Sequence, residues 1–157
     1  METNVGGTVS TVEHFIPLLR ESENPRVIFV SSGLGSATMV HDTLSNLELP
    51  AYSSSKAALQ MIMLYYWRRF PRWKVNACNP GYRVSHSRCM RTIQEKLRTS
   101  QATKANKFGA NVPKGAQPGP ITEAAFNAVR LALLGTDGES GTHTMYDGRG
   151  GYRTVPW

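Results

Sequence analysis

Long apolar runs are missing from this sequence: no stretch approaches the roughly 20 residues that a membrane-crossing helix requires. Cysteine is scarce too, with only Cys78 and Cys89. Their spacing forms neither a disulfide framework nor a metal-ligand pair, which excludes a stapled miniprotein and a zinc module. Cys78 lies in an apolar run and reads as a small core residue. The opening Met1-Glu2-Thr3-Asn4 carries no basic segment followed by an apolar one, so no secretion signal is read. A reduced, cytoplasmic setting is the resulting expectation. The four histidines, His14, His41, His86 and His143, show no metal spacing and read as surface or locally satisfied residues; no metal site is expected. Charged residues make up 18%, somewhat few, while 40% are hydrophobic, so wholesale disorder is excluded.

What is present suits one domain of 157 residues with a core of moderate size. Net charge is +7, and the excess is clustered. Arg68, Arg69, Arg72 and Lys74 form one group. Arg83, Arg88, Arg91, Lys96, Arg98, Lys104 and Lys107 form another, opposed by Glu95. Such stretches can bind nucleic acid or an anionic ligand. No zinc-finger spacing, RNA-binding aromatic motif or basic zipper accompanies them, so a solvated helix and loop is the favoured reading.

Hydrophobic periodicity gives the elements. Val5, Val9, Val12, Ile16 and Leu19 predict a helix over 4–20, with Pro17 expected to kink or shorten its end. Val27-Ile28-Phe29-Val30 is a continuous apolar run, the pattern of a strand covered on both faces in a parallel sheet. A Gly- and Ser-containing loop over 33–50 leads to a helix from Tyr52 to Phe70, whose stripe is Leu59, Ile62, Met63, Tyr66 and Phe70. Pro71 stops it. The aromatic group Tyr65, Tyr66, Trp67, Phe70 and Trp73 reads as core or subunit packing. Lys74–Cys78 is a second strand, closed by Asn79-Pro80-Gly81. Residues 99–120 read as a mobile loop. Thr122 is expected to cap a helix reaching Leu134, with Gly135 as its stop. Thr142–Tyr146 is the last predicted strand and 148–157 a tail.

Strands alternating with helices imply a parallel α/β sheet with right-handed crossovers. Its first strand, apolar on both faces, would take a neighbour on each side, and none is read upstream of it.

The chemistry centres on Tyr52 and Lys56, four apart and so on one helix face. A free phenol titrates near about 10. A nearby ammonium favours phenolate, which lets a tyrosine exchange a proton with an alcohol or carbonyl oxygen. On its own the spacing equally describes a surface pair. Ser32, however, follows the carboxyl end of a predicted strand, where ligands of open α/β sheets bind. A hydroxyl there can hydrogen-bond an oxygen on which charge develops. Asn79-Pro80-Gly81 closes the second strand at the same edge.

Four segments occur together in order: Asn4-Val5-Gly6-Gly7, Val30-Ser31-Ser32-Gly33-Leu34-Gly35, Tyr52-Ser53-Ser54-Ser55-Lys56-Ala57-Ala58-Leu59 and Asn79-Pro80-Gly81-Tyr82. In this the sequence resembles the short-chain dehydrogenases/reductases, and among them the fungal carbonyl-reductase-like members. The resemblance covers nearly the whole chain but only the second half of the family's Rossmann-like, doubly wound parallel sheet, about three strands with flanking helices. It implies an N-terminally truncated, single partial domain over 1–157.

The resemblance further implies hydride transfer between nicotinamide and a carbonyl or alcohol carbon, with NADP as cofactor and NAD as the alternative. It makes Tyr52 the general acid/base, Lys56 the group that lowers its pKa and binds the nicotinamide ribose, Ser32 the substrate-oxygen anchor and Asn4 part of a proton relay. Pro80, Gly81, Arg83 and Ser85 fall on the nicotinamide pocket with Tyr52 and Lys56. Arg83 departs from the apolar residue usual in the family. Residues 83–120 match the substrate loop, whose basic charge would favour an anionic or phenolic substrate. The helices over 4–20 and 52–70 match those that pair across a homodimer. A role in fungal secondary metabolism is implied in the same way. The family's Thr-Gly-x-x-x-Gly-x-Gly phosphate turn is not among these residues. That leaves a second reading, an inactive fragment or pseudoenzyme that works by pairing with a full-length relative.

Overall fold

The computed structural model describes residues 1–42, 49–83 and 119–157. A short π-helical turn, Glu2–Gly7, runs into helix α1, Thr8–Glu21. Strand β1, Arg26–Val30, follows, then a 3-10 turn, Gly33–Gly35, and the short helix α2, Ala37–Asp42. Helix α3 spans Pro50–Arg69 and strand β2 Lys74–Asn79. A 3-10 turn at Ile121–Ala125 leads into helix α4, Phe126–Leu133. Strands β3, His143–Tyr146, and β4, Tyr152–Thr154, complete the chain.

The strands form one sheet in the order β1-β2-β3-β4. Pairings β1–β2 and β2–β3 are parallel, as the alternation of strands and helices predicts. The fourth strand is a departure from the three expected. It pairs antiparallel with β3, in a segment read as a tail. Its cause is local: the Asp147 carboxylate accepts N–H bonds from Arg149 and Gly151 at 2.7 and 2.9 Å, and Gly148 and Gly150 take left-handed φ of 79° and 92°. Those contacts close a hairpin that only glycine turns without strain.

The principal core joins α1 and α3 to the sheet through Val12, Ile16, Phe29, Leu59, Met63, Tyr66, Trp73, Val75 and Ala77. Of the aromatic group, Tyr66 and Trp73 are buried there, whereas Tyr65 and Trp67 are exposed. The Tyr66 hydroxyl donates to Glu13 at 2.8 Å and Arg69 pairs with the same oxygen at 2.7 Å, tying α3 to α1. Burial and that bond push the Tyr66 hydroxyl up to about 12. β2 is central and buried from Val75 onward.

Four local expectations need correction. Pro17 neither shortens nor ends α1, which runs to Glu21. Pro17 and Glu13, whose carbonyl loses its helical donor, both lie on the exposed side, where water can serve instead. Thr122 does not cap α4: it lies inside the preceding 3-10 turn, and Leu134 rather than Gly135 ends the helix. β1 is not covered on both faces to its end: Phe29 is buried against α1 and α3, Ile28 on the opposite face is partly buried, and Val30, the last residue, is 53% exposed. His143 is neither on the surface nor satisfied. It is fully buried on β3, beside Trp157 with ring centroids 6.0 Å apart, and neither ring nitrogen has a partner among the described residues. Burial holds its pKa down at about 4.

Candidate functional site

The site is assembled where β1 ends. The Lys56 ammonium reaches across from α3 and donates to the carbonyl of Val30 at 2.9 Å. It also lies 5.8 Å from the centre of the Tyr52 ring. One helical turn separates the two residues, as their spacing predicts. Burial lowers the Lys56 pKa from its usual value, with Cys78 acting in the opposite sense. Cys78 itself is buried and its thiol is pushed up to about 11, chiefly by desolvation, so it is a core residue as expected.

Ser32 stands two residues past Val30, with extended backbone. Its Oγ accepts the N–H of Leu34 at 3.2 Å and so caps the 3-10 turn Gly33–Gly35. The hydroxyl proton is therefore left to donate elsewhere. The Ser32 loop is fastened to α3 from below: Gln60 Nε2 donates to Ser31 Oγ at 3.1 Å and to the Ser32 carbonyl at 3.3 Å. Gly35 completes the junction. A Cβ there would lie 2.7 Å from the Lys56 carbonyl carbon and 2.8 Å from its oxygen, so the loop can sit this close to α3 only with glycine.

Asn4 joins the assembly indirectly. Its side chain donates to Ser55 Oγ at 3.0 Å, and Ser55 donates to the Tyr52 carbonyl at 2.7 Å. The start of the chain is thus clasped to the turn of α3 that bears Tyr52 and Lys56. The sequence motifs name Asn4; Ser55, Gln60 and Gly35 are the residues that motif reasoning left without a role. The one available signal was that Ser55 and Gln60 are polar residues beside the apolar stripe of the helix.

The loop after β2 turns sharply. The Asn79 side-chain oxygen accepts the N–H of Gly81 at 2.9 Å, and Gly81 has a left-handed φ of 75°. Pro80 and Gly81 are partly exposed. Arg83 is engaged within the fold: its guanidinium pairs with Glu123 at 3.1 Å and donates to the Tyr82 carbonyl at 2.9 Å. Ser85, Arg88, Arg91, His86 and the rest of the basic loop from 84 to 118 lie outside the described residues.

Comparison with known proteins follows the same outline. A family model described as short chain dehydrogenase matches residues 1–96. The short-chain dehydrogenase/reductase ATR10 of Stachybotrys chlorohalonatus is 44% identical, over 100% of this chain and 53% of its own length. The short-chain dehydrogenase/reductase tropE of Talaromyces stipitatus is 33% identical over 52% of this chain and 36% of its own. Among solved structures, a Pseudomonas aeruginosa RhlG/NADP active-site complex is 29% identical with a TM-score of 0.66, covering 93% of this chain and 54% of that one. Carbonyl reductase Sniffer of D. melanogaster shares the fold at 19% identity and a TM-score of 0.61, over 99% of this chain and 55% of that one. The chain thus spans about half the length, or less, of these curated relatives.

Proposed function

This chain belongs to the short-chain dehydrogenase family, and from that premise we propose that it carries the catalytic half-site of an NADP-dependent oxidoreductase acting on a carbonyl or alcohol. One observation carries the reading: the Lys56 ammonium sits at the carboxyl end of β1, next to the Tyr52 ring and two residues from Ser32.

The donor set suits the nicotinamide-ribose end of such a cofactor. Lys56 spends one of its three N–H donors on Val30, leaving two for ribose hydroxyls or a phenolate. Tyr52, Lys56, Pro80, Gly81, Arg83 and Ser85 would hold that end. The sequence holds no Thr-Gly-x-x-x-Gly-x-Gly turn to seat a diphosphate on a helix N-terminus. When bound, the reduced nicotinamide supplies the hydride.

The chain's own residues handle the proton. In the reducing direction the Tyr52 hydroxyl gives its proton to the substrate oxygen and becomes a phenolate. The Lys56 ammonium stabilises that phenolate. The free Ser32 proton hydrogen-bonds the same oxygen as charge builds on it. Asn4 acts through Ser55 to hold the helix turn in place. NADP is favoured over NAD by the likeness to the Pseudomonas complex. Self-association through α1 and α3 belongs to the same proposal, since Leu18, Met61 and Tyr65 are exposed on those helices.

Purified chain should oxidise NADPH with some member of a ketone, aldehyde and quinone panel, and Tyr52→Phe should slow this by about 10²-fold or more. No binding and no turnover across the panel would refute activity of this chain by itself. Among the described residues β1 pairs with β2 alone, which supports the second reading, an inactive fragment or pseudoenzyme that works by pairing with a full-length relative.

A further inference from the structure

We propose that Glu123 is the counter-ion of the nicotinamide pocket: by neutralising Arg83 it sets how the site divides its affinity between the oxidised and the reduced cofactor. The inference rests on the oxidoreductase reading and adds to it a residue that none of the sequence motifs contains.

The pair is built into the turn that follows β2. The Asn79 side chain holds the Gly81 N–H at 2.9 Å. Two residues on, the Arg83 guanidinium folds back over this turn. Its Nη1 donates to the Tyr82 carbonyl at 2.9 Å, and its Nη2 donates to Glu123 Oε2 at 3.1 Å. The Gly119 N–H donates to the same Tyr82 carbonyl at 3.1 Å, so both lone pairs of that oxygen are used. A Cβ on Gly119 would overlap Nη1 and lie 2.7 Å from Cζ, and one on Gly81 would lie 3.2 Å from Nη1. The guanidinium is therefore wedged between two glycines, and one of them, Gly81, belongs to the proposed pocket.

Glu123 meets this charge from a fixed base. It lies in the 3-10 turn before α4, and α4 is fastened to β3 by Asn127, whose Nδ2 donates to the Thr144 carbonyl at 2.7 Å. The Arg83 and Glu123 side chains are 17% and 23% exposed, so water screens the pair weakly. The register of the sheet sets Val30 opposite Cys78, which brings the turn after β2 to the same edge as the Lys56 ammonium. Two cations thus stand at that edge, and Glu123 offsets one of them. An oxidised nicotinamide ring carries a positive charge, and reduction removes it. A fixed, poorly screened cation therefore opposes the oxidised ring and leaves the reduced ring nearly untouched. With its carboxylate in place, the Arg83 position discriminates little between the two forms; without it, the reduced form is favoured.

The test is the ratio of the NADP+ and NADPH dissociation constants of the purified chain, each measured by calorimetric titration. Glu123→Gln should raise that ratio about threefold or more, because the Arg83 charge is left uncompensated. Arg83→Met strands the carboxylate instead and should lower it. The double variant carries neither charge and should return the ratio close to the wild-type value. A purely structural role would weaken both forms alike in all three variants. Hydrogen exchange at the Gly119 amide, bound to the Tyr82 carbonyl, reports whether the turn persists; where one single variant loses that protection, the other and the double variant decide. A ratio unchanged in the single variants, a shift of the same sign in both, or a double variant no nearer the wild type than the single ones would overturn the inference and leave the oxidoreductase reading standing. A wild-type chain that binds neither form would defeat that reading, and the inference with it.

Discussion

Gly35→Ala probes how the catalytic elements are held together. An added Cβ would stand 2.7 Å from the Lys56 carbonyl carbon, 2.8 Å from its oxygen and 2.7 Å from Gln60 Nε2. Two of those three atoms are backbone in the middle of α3, so the Ser32 loop must retreat. Overpacking of this kind costs roughly 1–3 kcal/mol. For a chain of this size that is a fall in Tm of roughly 2–12 °C, at about 2–4 °C per kcal/mol. Gly6→Ala is the control: nothing lies within 4 Å of its added Cβ, and it sits in the helical turn before α1. It should be neutral or stabilising by up to about 1 kcal/mol. Thermal unfolding of the two variants side by side is the assay. Equal melting temperatures would refute the close approach of loop and helix. Where turnover is measurable, Gly35→Ala should also depress it, since displacement by about 1 Å can cost about 10²-fold.

Other consequences are as specific. His143 is pushed from 6.5 to about 4 on folding, so the unfolded chain binds the proton first as pH falls. Its contribution is complete above about pH 6.5 and is lost progressively down to about 4, a span worth roughly 3 kcal/mol; urea unfolding across that range should show the slope, and His143→Leu should flatten it. Asn4→Ala should cost about 0.5–1.5 kcal/mol by chemical denaturation, and Asn4→Ala with Ser55→Ala should cost less than the two single losses added, because they share one bond. Tyr66→Phe should cost about 1–2 kcal/mol through the lost bond to Glu13, an effect that should shrink when Glu13 is replaced by Gln.

Much of this fold was legible because its signals are local. The apolar stripe of α3 and the unbroken run of β1 need no distant partner to be read. Ser32, Tyr52 and Lys56 could be grouped because one follows a strand end and the other two share a helix face. What escaped depends on contacts far apart in sequence. Nothing local says that Gly35 abuts Lys56, or that Gln60 reaches back to Ser31. His143 was misjudged because a histidine opening a short strand gives no sign of which side of the sheet it faces. β4 was missed because three residues, Tyr152–Thr154, are too few to show a period, although Asp147-Gly148 before them is a hairpin signal. The motif points Arg83 to the nicotinamide pocket, and nothing local announces that its guanidinium also pairs with Glu123, 40 residues away.

Saturation-transfer NMR of the purified chain with NADP tests the half-site most directly, because it reports which end of the cofactor touches the protein. The account predicts saturation of the nicotinamide and adjoining ribose protons, little on the adenine, and loss of the nicotinamide signal in Lys56→Met. Saturation confined to the adenine, or a nicotinamide signal indifferent to Lys56→Met, would contradict it.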